Sequence, residues 1–147
     1  MDRLKSPVIE DLTRFARDVL RRAGAEAMHY YGKGDPLVKF DSDLVTEAEL
    51  HLVDFFRTQL HTEFPEHGIF GDELPKEDYL HGERRYLWIY DALDGVANFQ
   101  AGIPIWGTSL ALLENFWPVF GAFYMPVTGD LFHAQAGETA YWGDTEI

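Results

Sequence analysis

The chain has 147 residues, of which 46% are hydrophobic and 15% aromatic, enough to bury the core of one globular domain. Its 25 acidic and 12 basic residues give a formal charge of −13, which argues against nucleic-acid binding because that function needs clustered cations. The absence of cysteine excludes disulfides and thiolate metal sites, and no run approaches the roughly 18 apolar residues of a membrane span. With no targeting segment in view, a cytoplasmic location away from membranes is expected.

Two amphipathic helices are predicted first. Residues 6–31 place apolar side chains at helical spacing, and a glycine then ends the pattern. After a polar loop, a second helix is predicted from Thr46 to about Phe64, just before a proline. Thr46 and Glu49 match a capping box at its start.

Beyond the second helix, the apolar pattern changes to short strand-like runs separated by turn residues. The predicted strands cover residues 67–70, 86–91, 105–113, 117–125, 130–136 and 139–142. Short turns between neighbouring runs predict an antiparallel meander, so the fold class is α+β, with two N-terminal helices on a mainly antiparallel sheet. Large aromatic side chains fall on both faces of this sheet, and two helices cover only one face. We therefore expect part of the fold to be missing and the isolated chain to form a homo-oligomer.

Three acidic clusters lie where predicted elements meet loops. Residues 41–47 precede the second helix, residues 71–73 follow a short strand, and Asp91 and Asp94 follow the strand-like run of residues 86–90, just before Gly95. Carboxylates that converge repel one another unless a cation neutralises them, and such hard oxygen ligands suit Mg²⁺ or Mn²⁺. The backbone N–H groups that follow Gly95 are free to face a phosphate. Metal and phosphate binding in one segment predicts phosphoryl chemistry.

Each acidic cluster also has a purely structural interpretation. Asp94–Gly95 is a common turn dipeptide, Asp43 suits a helix cap, and residues 71–73 suit a solvated loop. Other catalytic devices are weak, since the 6 histidines show no zinc-type pairing and Ser109 lacks the second glycine of a nucleophile elbow. The joint order and spacing of the acidic clusters favours the metal site.

The same residues resemble a known family, the inositol monophosphatase-like phosphatases, which are related to fructose-1,6-bisphosphatase. Its central pattern W-I-x-D-P-[IL]-D-G-T-x-N-F is similar to residues 88–99, and residues 43–46, 69–73 and 102–111 also match. The resemblance extends over nearly all of residues 6–147 and implies one half of a layered αβαβα fold. It implies hydrolysis of a phosphate monoester, inositol monophosphate or a related sugar phosphate, by a metal-activated water. The implied cofactor is Mg²⁺, with Mn²⁺ or Ca²⁺ as possible substitutes.

The resemblance also implies roles for individual residues. The implied metal ligands are Asp72, Asp91, Asp94 and the backbone carbonyl of Leu93. The implied phosphate-binding groups are the backbone N–H groups of Gly95 and Val96. The implied catalytic residues are Asp43, Thr46 and Glu73, with Asp43 orienting the attacking water.

Departures from the family pattern point to a second hypothesis. Ala92 replaces the motif proline, Val96 replaces a threonine whose hydroxyl helps position water, and Asp72 replaces a glutamate. Family members also carry a second α/β half with a further aspartate motif, which this sequence lacks. We interpret residues 1–147 as a single N-terminal metal-binding domain without that C-terminal half. The alternative function is a catalytically impaired metal- or phosphate-binding half-domain that needs a partner or the missing half.

Overall fold

The computed structural model describes residues 7–34, 42–71 and 85–147, and the structural statements below concern these residues. Three helices and seven strands follow one another along the chain. The helices are α1 (Pro7–Ala27), α2 (Ser42–Glu63) and α3 (Val96–Ala101). The strands are β1 (Gly68–Ile69), β2 (Tyr86–Asp94), β3 (Gly107–Glu114), β4 (Trp117–Met125), β5 (Asp130–Gln135), β6 (Ala140–Trp142) and β7 (Thr145–Glu146).

All seven strands form one sheet in which spatial order follows chain order. β1 pairs with β2 in parallel, and every other neighbouring pair is antiparallel. Asn115 and Phe116 connect β3 to β4 with positive φ values of 50° and 64°, which is the backbone of a two-residue hairpin turn. The predicted α+β class, with two helices followed by a mainly antiparallel sheet, is confirmed.

The helix boundaries correct two details of the prediction. α2 begins at Ser42, so Thr46 lies inside the helix and the capping-box interpretation is wrong. α1 ends at Ala27, and residues 28–32 form turns in which the Gly32 amide donates to the Phe99 carbonyl at 3.0 Å. α3 and β7 were not among the predicted elements, since six and two residues are too few to display a period.

The helices bury one face of the sheet, and Trp88 of β2 lies at the centre of that contact. Its ring meets Phe15 of α1 at 5.6 Å and Phe56 of α2 at 6.3 Å between centroids. Its indole Nε1–H donates to Nδ1 of His67 at 2.9 Å, which requires a neutral imidazole. Burial lowers the pKa of His67 and so keeps the ring neutral. This contact anchors β2, the strand that carries the predicted metal ligands.

The opposite face of the sheet is more open. Its register aligns small or aliphatic residues across four strands, from Ile89 through Ala111 and Gly121 to Ala134. Ile89 is 37% exposed, and Trp142, which stacks on Phe132, is 50% exposed. Among the described residues, this face therefore keeps exposed apolar side chains, and self-association stays a prediction.

Within the described ranges, every helix is too short or too polar to span a bilayer.

Candidate metal and phosphate site

A β-bulge brings the two motif aspartates to the same side of the sheet. Asp91 pairs with Ser109 and Asp94 with Gly107, so the register shifts by one residue between them. Residues three apart in a regular strand point to opposite faces, because side chains alternate with a period of two. The extra residue in β2 returns Asp94 to the face that carries Asp91. Both side chains are exposed on the open face, across the sheet from α1 and α2.

The bulge is held in place by buried neighbours. Ala92 and Leu93 have no register partner on β3, and both are buried in a cluster that includes Leu52 and Trp106. The hydroxyl of Thr108, itself 2% exposed, donates to the backbone carbonyl of Asp91 at 3.0 Å. Sequence reasoning assigned Thr108 to a strand and gave it no role in the site. In the structure, its hydroxyl holds the backbone at the first aspartate.

The electrostatics of the two carboxylates favour a cation between them. Partial burial raises the pKa of Asp91, and repulsion from the Asp94 carboxylate raises it further, while a hydrogen bond from the Leu93 backbone N–H opposes both. Neither carboxylate forms an ion pair with any residue in the described part of the chain. Two carboxylates without a cationic partner among the described residues are a donor set that fits a hard divalent cation such as Mg²⁺.

Gly95 turns the chain from β2 into α3 through a left-handed conformation, with φ 84° and ψ 42°. A Cβ at this position would lie 2.9 Å from the Ile105 carbonyl oxygen and 3.1 Å from the Trp106 Cα. The Gly95 carbonyl accepts the amide of Phe99 at 3.0 Å, which starts the helix. Val96 is the first helical residue, so its N–H has no acceptor within α3 and is available to an anion.

Asn98 closes this loop onto the following segment. Its side-chain amide donates to the Ile105 carbonyl at 2.8 Å, and its own carbonyl accepts the amide of Ile103 at 2.9 Å. Residues 102–106 are thereby held against α3, next to the turn at Gly95. Sequence reasoning gave Asn98 no role, although its fixed place in the motif was the available signal.

Comparison with known proteins assigns the chain to a family. Residues 8–147 match the model of the inositol monophosphatase family. The chain belongs to the inositol monophosphatase family. It is 29% identical to histidinol-phosphatase of Chlorobaculum parvum, covering 91% of this chain and 51% of that protein. It is also 29% identical to inositol-1-monophosphatase of Bacillus subtilis, covering 93% and 52%. The predicted family resemblance is confirmed.

Solved structures of the family share the fold. An inositol monophosphatase of Zymomonas mobilis superposes with a TM-score of 0.79 at 26% identity, covering 97% of this chain and 54% of the other. The inositol monophosphatase of Thermotoga maritima gives a TM-score of 0.77 at 26% identity, covering 93% and 53%. The chain therefore spans about half the length of the relatives it matches.

The remaining residues of the predicted inositol monophosphatase-type site are only partly described. Asp43 and Thr46 are exposed near the start of α2, and no described hydrogen bond or ion pair joins them to Asp91 or Asp94. Asp72, a predicted metal ligand, and Glu73, a predicted catalytic residue, lie outside the described residues. Within the described ranges, no group of three acidic or histidine side chains is placed to hold a metal. The completeness of the ligand set thus stays a prediction.

Replacing Gly95 with Ala is expected to lower the free energy of unfolding by about 2 kcal/mol, because the new Cβ meets backbone atoms and the φ is positive. Urea denaturation followed by tryptophan fluorescence measures this loss. Gly129 is a matched control, since its φ is +77° and a Cβ there would meet nothing within 4 Å. Gly129→Ala is expected to cost only about 1 kcal/mol. Equal losses of unfolding free energy in the two variants would show that the close packing at Gly95 does not contribute to stability.

Proposed function

We propose that this protein catalyses the Mg²⁺-dependent hydrolysis of a phosphate monoester, inositol monophosphate or a related sugar phosphate. Membership of a family whose relatives are named as inositol-1-monophosphatase and histidinol-phosphatase supports a phosphatase activity. The observation that carries the proposal is the bulge of β2. It sets two carboxylates that lack a cationic partner among the described residues immediately before the turn into a helix start.

In this proposal, the cation is held by the end of β2. Asp91, Asp94 and the Leu93 carbonyl bind Mg²⁺ together with Asp72, and Mn²⁺ or Ca²⁺ are possible substitutes. When bound, the ion would offer positive charge to the phosphate oxygens and would lower the pKa of a water molecule bound to it. Binding of the substrate needs that positive charge, because a chain of net charge −13 otherwise repels an anionic ester.

The other proposed roles belong to the chain itself. The N–H groups of Gly95 and Val96 bind phosphate oxygens at the start of α3, and the packing of Gly95 on residues 105–106 keeps them oriented. Asp43 orients the attacking water. Thr46 lies three residues further along α2, on the same side of the helix, and completes the catalytic set with Glu73.

The second candidate function is binding without efficient turnover. Val96 lacks the hydroxyl of the motif threonine, and Ala92 lacks the ring of the motif proline. These observations favour a metal- or phosphate-binding half-domain that needs a partner or a C-terminal half.

The proposed partners are a small phosphorylated substrate and, through the open face of the sheet, a second copy of this chain. The acidic charge that argued against nucleic acid also gives no basis for an anionic membrane surface. The cytoplasmic location stays a prediction.

Phosphate release from inositol monophosphate, measured with and without Mg²⁺, tests the proposal. The wild-type chain is expected to release phosphate only with Mg²⁺, and Asp94→Asn is expected to lose that release. Asp54→Asn removes the same charge from an exposed position on α2 and should behave as wild type.

Three results would change the proposal. Mg²⁺-dependent release that survives Asp94→Asn would contradict the assigned ligands. Mg²⁺ binding in calorimetry with no phosphate release, even after Val96→Thr, would support the half-domain. The absence of any Mg²⁺ binding would remove both candidate functions.

A further inference from the structure

A row of arginines on α1 forms a basic surface in this otherwise acidic protein. Four of the 12 basic residues, Arg14, Arg17, Arg21 and Arg22, lie close together on this one helix. Arg14, Arg17 and Arg21 are three and four residues apart, so their side chains follow one side of the helix. They line a cleft of about 330 Å³ between α1 and the end of the sheet formed by β5 to β7.

The cationic charge in this cleft is only partly compensated. Arg17 is half-buried and has no hydrogen bond or ion pair with any described residue. The guanidinium of Arg21 lies over the Tyr124 ring, 5.9 Å from its centroid, and forms no ion pair with a described carboxylate. Arg14 contacts Asp11 at 3.3 Å, but both side chains are more than half exposed, so water weakens that pair.

Two carboxylates also reach the cleft. Asp18 accepts a hydrogen bond at 2.8 Å from Arg22, which does not line the cleft. The negative charge of Asp18 is therefore compensated by a cation outside the cleft. Asp144 is exposed at the rim. The three arginines of the wall therefore face one carboxylate that lacks an ion-pair partner among the described residues.

The sheet side of the cleft is closed by a fixed imidazole. The Nε2 atom of His133, on β5, lies 2.8 Å from the carbonyl oxygen of Gly143. A carbonyl only accepts, so Nε2 carries the hydrogen. The ring also stacks on Tyr141, with centroids 5.4 Å apart and planes 14° apart. His133 therefore forms a fixed polar wall opposite the arginines.

We infer that this cleft binds a small anion that carries two phosphate groups. A guanidinium donates two parallel N–H bonds to phosphate oxygens, and several such groups on one wall suit several oxygens. The row from Arg14 to Arg21 is only about 10 Å long at 1.5 Å per residue, which leaves room for a few phosphate groups and not for an extended strand. A net charge of −13 also disfavours a long polyanion.

This site is separate from the proposed phosphatase site. His133 pairs with Ala122, whose side chain belongs to the core under the helices, so the cleft lies on the helix side of the sheet. Asp91 and Asp94 lie on the opposite face. The inference needs no metal and stands whether or not the chain hydrolyses a phosphate ester.

Calorimetric titration of the full chain with inorganic pyrophosphate, in EDTA to exclude metal, tests the inference. The wild type is expected to bind, and Arg17→Gln and Arg21→Gln are each expected to weaken binding about 10-fold, as for a lost charge-assisted hydrogen bond. Arg57→Gln removes the same charge from α2, outside the cleft, and is expected to leave binding within about 2-fold. Arg17→Lys keeps the charge but loses the two-pronged geometry, so an intermediate affinity is expected.

Several outcomes would overturn the inference. One is that pyrophosphate does not bind to the wild type. Another is an equal loss of affinity in Arg57→Gln, which would indicate that the overall charge alone determines binding. A short single-stranded oligonucleotide that binds more tightly than pyrophosphate would assign the arginine row to nucleic acid instead. Urea denaturation of each variant checks that the fold is retained, so a loss of binding reports the site.

Discussion

Replacing Asp91 with Asn is expected to stabilise the metal-free protein and to remove most of its Mg²⁺ binding. Partial burial and the nearby Asp94 carboxylate both disfavour the charge on Asp91, and the amide lacks that charge. The amide is also a weaker ligand for a hard cation. Changes around a metal ligand already cost about 10–100-fold in affinity, so loss of the ligand charge is expected to cost about 100-fold or more.

The pH dependence of this effect follows from the direction of the pKa shift. A carboxyl group whose pKa is raised on folding binds its proton more tightly in the folded state. Its contribution to stability is fully present below the unfolded value of 3.8 and is lost as the pH rises through the folded value. The wild type carries that loss at neutral pH and the Asn variant does not. The advantage of the variant should therefore be largest at neutral pH and shrink as the pH falls towards 3.8.

Urea denaturation in EDTA and in excess Mg²⁺ measures both effects. Mg²⁺ at about 100 times its dissociation constant should stabilise the wild type by about 2.7 kcal/mol and the variant far less. Asp54→Asn, an exposed change on α2, should alter neither value. A variant that is less stable than the wild type in EDTA, or that keeps the full response to Mg²⁺, would contradict the two-carboxylate site.

Replacing Val96 with Thr is expected to raise the rate of phosphate release about 100-fold, the lower end for a group that positions a reacting water. Val96 is half-buried at the first position of α3, and threonine has nearly the same shape with a hydroxyl in place of one methyl. The backbone N–H is unchanged, so the affinity for Mg²⁺ should stay the same. The gain should therefore appear in kcat and leave KM nearly constant.

Two further variants separate the hydroxyl from other effects at this position. Val96→Ala changes the packing without adding a hydroxyl and should not raise the rate. Asp43→Asn, combined with Val96→Thr, should cancel the gain, because both groups are proposed to orient the same water. Equal rates for the Thr and Ala variants would remove the role given to the missing hydroxyl.

The two long helices and most strands could be predicted because each is long enough to show the periodicity of its apolar residues. The prediction for β4, residues 117–125, coincides with the observed strand, since a turn at Asn115 and Phe116 separates it from β3. α3 is a single short helix whose start depends on the left-handed backbone of Gly95, and no repeating pattern marks it. The start of α2 was misplaced because Thr46 and Glu49 imitate a capping box, whereas the helix already begins at Ser42.

Local sequence by itself determined the family, the acidic charge and the residue types available for metal and phosphate. It did not determine that Asp91 and Asp94 share a face, because a spacing of three residues in a regular strand implies the opposite. The pairing of β2 with β3 decided this by placing a bulge between the two aspartates. Likewise, helical spacing aligns Arg14, Arg17 and Arg21, but only the tertiary structure sets His133 opposite them. In both cases the deciding contacts join residues distant in sequence, and their geometry comes from strand register and core packing.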